Sequence, residues 1–389
     1  MRIIFCADVK YPHGVAGANR VQYVAKCLQQ KGHDVMVLAT GTTIGHIDID
    51  TLRIDDGIKF SSIPIRASRI GMILDTKIYS GKHVVNWLKN HKVTKEDLIY
   101  VYASSSLYIE PLLNFISKNK LKAVIDVVEW HQPYQYKFGR LNYRYLSVKR
   151  AQERLNQRFG NVIAISELLQ KKFVDKGCNT FLLPMVIDAK IKSNGVSVDK
   201  DTNIKEMIYQ GNPCREDFVT MLKAMIALKD SGKNNFLFHT TGVTESSVRK
   251  QLKSEAYLLD KLKENMIFHG WINYCELEEL FDRIDFLFMS RKNDLVRKAN
   301  FPSKLPECMA RGIVPICNKV GDYWKYLSDK DSILFGESNV PNCIDALYRA
   351  MDLSRSELRE MKKNAELCAQ KNFDYRVWAD KLNEFISNI

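Results

Sequence analysis

The first forty residues restrict the fold more than any other stretch. Residues 1–7 form a short apolar run, followed by a glycine-bearing loop, Lys10-Tyr11-Pro12-His13-Gly14-Val15-Ala16-Gly17-Ala18-Asn19-Arg20. Val21, Val24, Ala25 and Leu28 then recur at helical spacing up to Lys31-Gly32, and His33 leads into a second apolar run, residues 35–39. This is a β-loop-α-β unit. In an open α/β sheet, ligands bind beside such loops, at the carboxyl ends of the strands. The loop lacks G-x-G-x-x-G spacing and no acidic residue ends the second run, so a dinucleotide such as NAD is disfavoured. A tight turn that needs glycine is the alternative reading of Gly14 and Gly17.

The alternation continues. Residues 44–65 read as irregular strands or hairpins, and Asp48-Ile49-Asp50 as a solvated turn rather than a metal-binding D-x-D. Residues 76–90 read as one helix, and residues 98–103 (LIYVYA) as a buried strand feeding a helix start at Ser104-Ser105-Ser106. Residues 121–128 are another buried strand, and it ends in Glu129-Trp130-His131. A carboxylate and an imidazole thus stand at a strand tip, where a site on such a sheet belongs. Residues 161–165 read as a strand whose following helix is capped by Ser166, and residues 181–186 lead to Ile187-Asp188.

Residues 189–205 are polar and aperiodic, which marks a linker. A second α/β domain starts with a strand at 206–209 and the loop Gln210-Gly211-Asn212-Pro213-Cys214-Arg215. A helix at 217–228 follows, with Phe218, Met221, Leu222 and Met225 on its buried side. Arg215 reads either as a phosphate ligand or as a surface side chain. Further strands are expected at 236–240, 266–271 and 286–289, with a helix at 275–281. In the stretch 300–317 (NFPSKLPECMARGIVPIC), Ser303 is a favoured N-cap, Leu305, Met309 and Ala310 recur at helical spacing, and Gly312 stops the helix before a buried strand. A helix opening on Ser303-Lys304 is suited to hold a phosphate on free amides, and Glu307 to accept ribose hydroxyls. The expected division is a first domain at 1–188, a linker at 189–205, a second domain at 206–372, and a final helix at 373–389.

The chain has 389 residues, too many for one ordinary core, with 46% hydrophobic and 26% charged side chains, as in soluble globular proteins. No run is long enough to span a bilayer, and MRIIFCADV lacks the charged start and cleavage site of a secretory leader. The nine cysteines are scattered, without C-x-x-C or zinc spacing, so no metal and a reducing, cytoplasmic location are expected. The net charge of +13 calls for an anionic partner. Between 134 and 172, Lys137, Arg140, Arg144, Lys149, Arg150, Arg154 and Arg158 alternate with Tyr134, Tyr136, Phe138, Tyr143 and Tyr145. Such a mixture suits an anionic membrane surface, or single-stranded nucleic acid. One long solvated helix is the alternative.

Taken in order, these segments resemble the GT-B glycosyltransferases, specifically the retaining glycosyltransferase family 4 type, over nearly the whole chain. PHGVAGANR resembles the start of that family's acceptor domain, and LPMVID the segment that closes it. MIYQGN resembles the strand opening the donor domain, FHGWINYCELEELFDRIDFLFMS the stretch ahead of the donor site, and FPSKLPECMARGIVPI the second half of the E-x7-E signature. Two departures stand out: the first signature Glu falls at Ala299, and the usual Arg after the donor-domain glycine falls at Asn212.

The resemblance implies two Rossmann-like domains facing across a cleft, with the last helix crossing back to the first domain. It implies transfer of a sugar from a UDP- or GDP-sugar to a glycan or lipid-linked acceptor, as in capsule, O-antigen or exopolysaccharide assembly. Neither a metal nor another cofactor is implied. Gly14, Gly17, Gly211, Asn212, Arg215, Ser303 and Lys304 would hold the diphosphate. Glu307, Gly270, Trp271 and Ile272 would hold ribose and base. His131, Arg215 and Glu307 would act in the transfer, His131 on a sugar hydroxyl. A nucleotide-sugar epimerase of the same fold and a non-catalytic GT-B partner subunit remain open alternatives. Nucleic-acid binding is disfavoured, because no recognised module accompanies the basic residues.

Overall fold

The computed structural model describes residues 1–13, 16–42, 51–63, 66, 68–190 and 203–389. Gly14, the Asp48-Ile49-Asp50 turn and residues 191–202 of the expected linker lie outside them. The chain divides into two compact units. One comprises Met1–Ile187, Ala299–Phe301 and Tyr375–Ile389; the other comprises Asp188–Lys298 and Pro302–Asp374.

The first unit begins with β1 (Arg2–Tyr11), α1 (Ala16–Gln29), β2 (Asp34–Thr42), β3 (Arg53–Asp55) and β4 (Ile58–Ser62). It continues through α2 (Arg69–Lys77), α3 (Ser80–Asn90), β5 (Leu98–Tyr102), α4 (Ser106–Asn119), β6 (Lys122–Val127), α5 (Tyr143–Arg150), β7 (Asn161–Ala164), α6 (Glu167–Val174) and β8 (Asn179–Leu182). Its strands form one sheet in the order β3-β4-β2-β1-β5-β6-β7-β8. Pairing is parallel except for the β3–β4 hairpin. Asp56 and Gly57 join that hairpin with φ of 44° and 81°, the two left-handed residues that a type I′ turn requires. The apolar runs noted above are the central strands, as expected of strands covered by helices on both faces. Phe5 and Tyr100 stack at 4.2 Å in a core that Val21, Val24 and Leu28 of α1 close from one side. Each such fully buried side chain contributes roughly 1.5–3 kcal/mol. Ala379, Leu382 and Ile386 of the terminal helix (Tyr375–Ser387) join the same core.

Two helical readings are corrected here. Residues 76–90 are not one helix, because α2 ends at Ile78, whose amide donates to Leu74, and α3 restarts at Ser80. The restart sets Gly81 against α4, where a Cβ would lie 2.4 Å from the Tyr108 carbonyl oxygen and 2.9 Å from that of Leu107. Both are backbone atoms that cannot swing aside. Gly81→Ala is expected to cost about 1–3 kcal/mol through overpacking, read as a lower urea midpoint; an unchanged midpoint would show that the two helices can separate freely. The basic region is not one long helix either. Short 3-10 turns at Pro133–Gln135 and Gly139–Leu141 precede α5, which runs into a π turn at Ala151–Leu155 and a 3-10 turn at Asn156–Phe159.

The second unit contains β9 (Lys205–Gln210), α7 (Arg215–Asp230), β10 (Phe236–Thr241), α8 (Glu245–Leu252), α9 (Tyr257–Lys261), β11 (Met266–Gly270) and α10 (Tyr274–Phe281). After these come β12 (Phe286–Met289), α11 (Leu295–Ala299), α12 (Lys304–Met309), β13 (Val314–Asn318), β14 (Ile333–Phe335), α13 (Val340–Asp352) and α14 (Arg355–Asn372). The sheet is parallel, in the order β11-β10-β9-β12-β13-β14. Phe218 of α7 packs on Tyr209 and Phe238, and Phe238 on Phe288, so aromatic rings link helix to sheet through the core.

One polar cluster interrupts that sheet. Nδ1 of the buried His239 lies 2.9 Å from Nε2 of His269, and Oε2 of the buried Glu206 lies 3.2 Å from its other nitrogen. Burial, then His239 and Arg283, lower the pKa of His269 below its ordinary value. The folded state therefore favours neutral His269. This contribution is complete above the unfolded value near 6.5, declines as pH falls below it, and levels off beneath the folded value. Between pH 7 and 5 the unfolding midpoint should drop, and His269→Asn should flatten that drop. An unaltered pH profile in the variant would remove His269 as its source.

Candidate functional site

In the second unit, three glycines end adjacent parallel strands: Gly211 after β9, Gly242 after β10 and Gly270 on β11, with φ of 92°, 77° and 67°. These values lie in the left-handed region that glycine enters without strain. The Gly211 amide donates to Thr241 at 2.9 Å, and the Gly242 amide to Gly270 at 2.6 Å. Gly242 sits so close to Gly211 that its Cβ would fall 3.5 Å from the neighbouring Cα, whereas nothing lies within 4 Å of a Cβ at Gly211. The result is a floor of bare backbone at the carboxyl ends of the strands, open above Gly211. Gly242 was absent from the expected site residues, although its place directly after a strand was the available signal.

α12 lies beside this floor, with Cys308 Sγ 3.9 Å from Oε1 of Gln210. Ser303 does not cap it. Its backbone is already helical (φ −59°, ψ −28°) and its side chain makes no capping bond. The reason is that the turn begins one residue earlier, where the Leu305 amide donates to the Pro302 carbonyl at 3.1 Å. With 6 residues, α12 is a short helix, so side-chain charge matters more here than a macrodipole. Lys304 and Glu307 face each other, Nζ to Oε2, at 2.8 Å. Burial opposes the charge on Lys304, but the Glu307 carboxylate outweighs it and the lysine pKa rises. Together they offer one cation and one hydrogen-bond acceptor to a ligand.

The other expected residues of this unit differ in engagement and exposure. Arg215 is the first residue of α7, which starts two residues earlier than its apolar spacing suggests, and its Nε donates to the Leu252 carbonyl at 3.1 Å. Part of its guanidinium is thus committed to structure. Asn212 is exposed, Trp271 is 85% exposed beside Gly270, and Ile272 is half-buried. A network that sequence reasoning missed joins α7 to the segment after β12. The buried Asp217 accepts from the Lys292 amide at 2.9 Å and from Arg297 Nη2 at 3.0 Å. The cation-rich run from Arg291 to Lys298 was its only trace in the sequence.

In the first unit, His131 borders a cavity of about 140 Å³ at the carboxyl ends of β1, β5 and β6. Its Nδ1 lies 2.9 Å from the Tyr136 hydroxyl and its Nε2 3.1 Å from Glu129 Oε2. Gln152 clamps its backbone, accepting from the amide at 2.9 Å and donating to the carbonyl at 3.1 Å. The imidazole is therefore oriented through Nδ1 and its backbone, while the Glu129 carboxylate stands close to Nε2 without a well-aligned hydrogen bond. Asp8, Ser104, Asp126 and Asn156 also line the cavity. Asp126 is neutralised by the buried Arg20, and burial pushes the Asp8 carboxyl up to about 6 against the pull of Lys77 and a Thr40 hydrogen bond. Gly17 is not a loop residue. It lies in the first turn of α1, where a Cβ would approach the Tyr102 hydroxyl to 2.9 Å, so its smallness serves packing. Among the described residues, no group of three or more His, Cys, Asp or Glu side chains is arranged to hold a metal ion.

Residues 212–367 match the family model described as glycosyl transferases group 1. No curated protein matches the sequence. Solved structures resemble the whole chain. A glycosyltransferase from Rickettsia africae is 13% identical with a TM-score of 0.68, over 100% of this chain and 97% of that one. WaaG, a glycosyltransferase involved in lipopolysaccharide biosynthesis, is 16% identical with a TM-score of 0.66, over 100% of both chains. Anabaena HepE, in complex with UDP and glucose, is 13% identical with a TM-score of 0.70, again over 100% of both. At these identities the likeness is one of fold, and the fold is GT-B.

Proposed function

We propose, from a chain of GT-B fold whose residues 212–367 carry a glycosyl transferases group 1 domain, that this protein moves a sugar from a nucleotide sugar to a glycan or lipid-linked acceptor in the making of a cell-surface polysaccharide. The observation that carries the reading is the floor of Gly211, Gly242 and Gly270 with the Lys304–Glu307 pair nearby in the same unit. Bare backbone lets a diphosphate approach closely, Lys304 meets its charge, and Glu307 accepts from ribose hydroxyls. A departing diphosphate gathers negative charge, so a fixed cation there favours the transition state over the ground state. Backbone around Gly270 and the exposed ring of Trp271 would receive the base. Uracil is the base to try first, as UDP, since HepE is described with UDP and glucose. Retention of configuration, metal independence and the hydroxyl-binding role of His131 are extended to this chain from the resemblance of its segments to family 4.

The surface of the first unit supports a lipid-linked acceptor. Tyr134, Phe138, Leu141, Tyr143 and Leu146 are exposed among Lys137, Arg140, Arg144 and Lys149. Rings at headgroup depth with cations on acidic lipids would place the protein on the inner face of a membrane. No helix among the described residues is long and apolar enough to cross one.

Ligand that binds only the folded state raises its stability with the logarithm of concentration. UDP-sugars or GDP-sugars in excess should therefore raise the melting temperature, and sugar should pass to an added acceptor. If neither nucleotide class shifts the melt, the donor-site assignment fails. Binding without turnover over a panel of donors and acceptors would instead favour a partner subunit, the reading that Ala299 in place of a carboxylate supports.

A further inference from the structure

A side chain outside the proposed donor contacts joins two elements that those contacts need. Arg311 follows α12 in the chain, and its side chain is 9% exposed. Its Nε donates to both carboxylate oxygens of Glu278 on α10, at 3.0 and 2.9 Å, and its Nη2 donates to Oε1 as well. Nη1 points the other way and donates to the backbone carbonyl of Glu307 at 2.8 Å. The guanidinium also lies 5.0 Å from the ring centre of Phe281, and its Nη2 3.5 Å from the Tyr274 hydroxyl. Tyr274, Glu278 and Phe281 recur at i, i+4 and i+7, so a single face of α10 receives Arg311. Burial opposes the charge on Arg311, but the hydrogen bonds and charge of Glu278 outweigh it and raise the arginine pKa.

α12 has 6 residues, too few to hold its place through its own hydrogen bonds. Its position is therefore set by what it packs on and by this anchor. A cation on one of the last carbonyls suits a helix end, but that task alone needs no bidentate carboxylate on a neighbouring helix. α10 is in turn fixed to the segment before it. Asn273 caps its start, accepting from the Glu276 amide at 3.0 Å while its own amide donates to the Glu276 carboxylate at 2.8 Å. Gly270, Trp271 and Ile272, which would receive the base, immediately precede that cap. A continuous path thus runs from the base edge through α10 and Arg311 to the Glu307 backbone, and from the Glu307 carboxylate to Lys304 at 2.8 Å.

We infer that Arg311 is a positioning residue of the donor site: with Glu278 it sets the spacing between the edge that takes the base and the α12 pair that takes ribose and diphosphate. The inference rests on the nucleotide-sugar reading. A nucleotide must meet both elements at once, and a ligand of two linked parts loses the gain from linkage when its two sites fall out of step. A ligand that touches α12 but not the base edge is indifferent to that spacing. Lysine cannot take the place of Arg311, because a point charge does not hold a carboxylate and a carbonyl in two fixed directions.

The test titrates the full chain with UDP, GDP and pyrophosphate, followed by phosphorus NMR. Arg311→Ala alone would strand the Glu278 carboxylate. The variant to use is Arg311→Met with Glu278→Leu, which removes both charges and should melt near the parent. It is expected to bind the preferred nucleotide at least about tenfold more weakly, ~1.4 kcal/mol, with pyrophosphate affinity changed by less than about twofold. Arg311→Lys keeps the charges balanced and should show the same split, which serves if the double variant is unstable. Parent-like nucleotide binding by either folded variant overturns the inference and leaves the donor reading standing. Equal losses of nucleotide and pyrophosphate also overturn it, since Arg311 would then only support α12. If the parent binds neither UDP nor GDP, the donor reading fails and this inference fails with it.

Discussion

Replacing Arg20 by methionine is expected to cost the protein about 3–5 kcal/mol. Arg20 is 1% exposed, and its guanidinium donates to both carboxylate oxygens of Asp126, at 2.7 and 2.9 Å. It also holds the carbonyls of Pro184 at 2.9 Å and Leu183 at 3.2 Å, which tie down the segment after β8. Tyr100 donates its hydroxyl to the same carboxylate at 2.8 Å. Methionine keeps much of the volume but leaves Asp126 as a buried charge with a single neutral donor. Urea and thermal midpoints should fall sharply. The double variant Arg20→Met, Asp126→Leu should recover much of the loss, because removing both charges avoids the uncompensated one. A single variant as stable as the parent would mean that water reaches Asp126 and screens it.

The largest effect on activity is expected at Lys304. On the proposed reading, Lys304→Ala should lower kcat by about 10²-fold, the usual effect of deleting one group aimed at developing negative charge. Glu307 holds the ammonium at 2.8 Å before substrate arrives, so the cation is oriented in advance of the reaction. Glu307→Gln keeps that cation and weakens an acceptor for ribose. Its main effect should therefore be a raised KM for the nucleotide sugar rather than a lowered kcat. Arg215→Ala is the contrasting case. With Nε on the Leu252 carbonyl, its first effect should be on stability. Parent-like kcat in Lys304→Ala would move the diphosphate site elsewhere in the unit.

Much of the frame was legible in the residues themselves. Continuous apolar runs such as residues 98–102 and 122–127 are central strands, because a strand covered on both faces has no polar side to show. Gly312 ends its helix at φ 70° and Ser166 caps α6, both local devices that need no distant partner. Errors arose where a local signal depends on what it packs against. Gly17 resembles a loop glycine in sequence, but only the presence of Tyr102 explains it. Ser303 has the composition of a cap, but the Pro302 carbonyl starts the turn before it.

The sequence by itself determined the repeated strand–helix order, the polar break between the halves and the glycines at strand ends, since each is encoded over a few neighbouring residues. Only the tertiary structure decided that Arg20 answers Asp126 across 106 positions, and that Asn156 lines a cavity rather than a basic surface. Periodicity records how often a side chain faces inward. It does not record which strands become neighbours, and buried charges and orphaned amides find their partners through that adjacency.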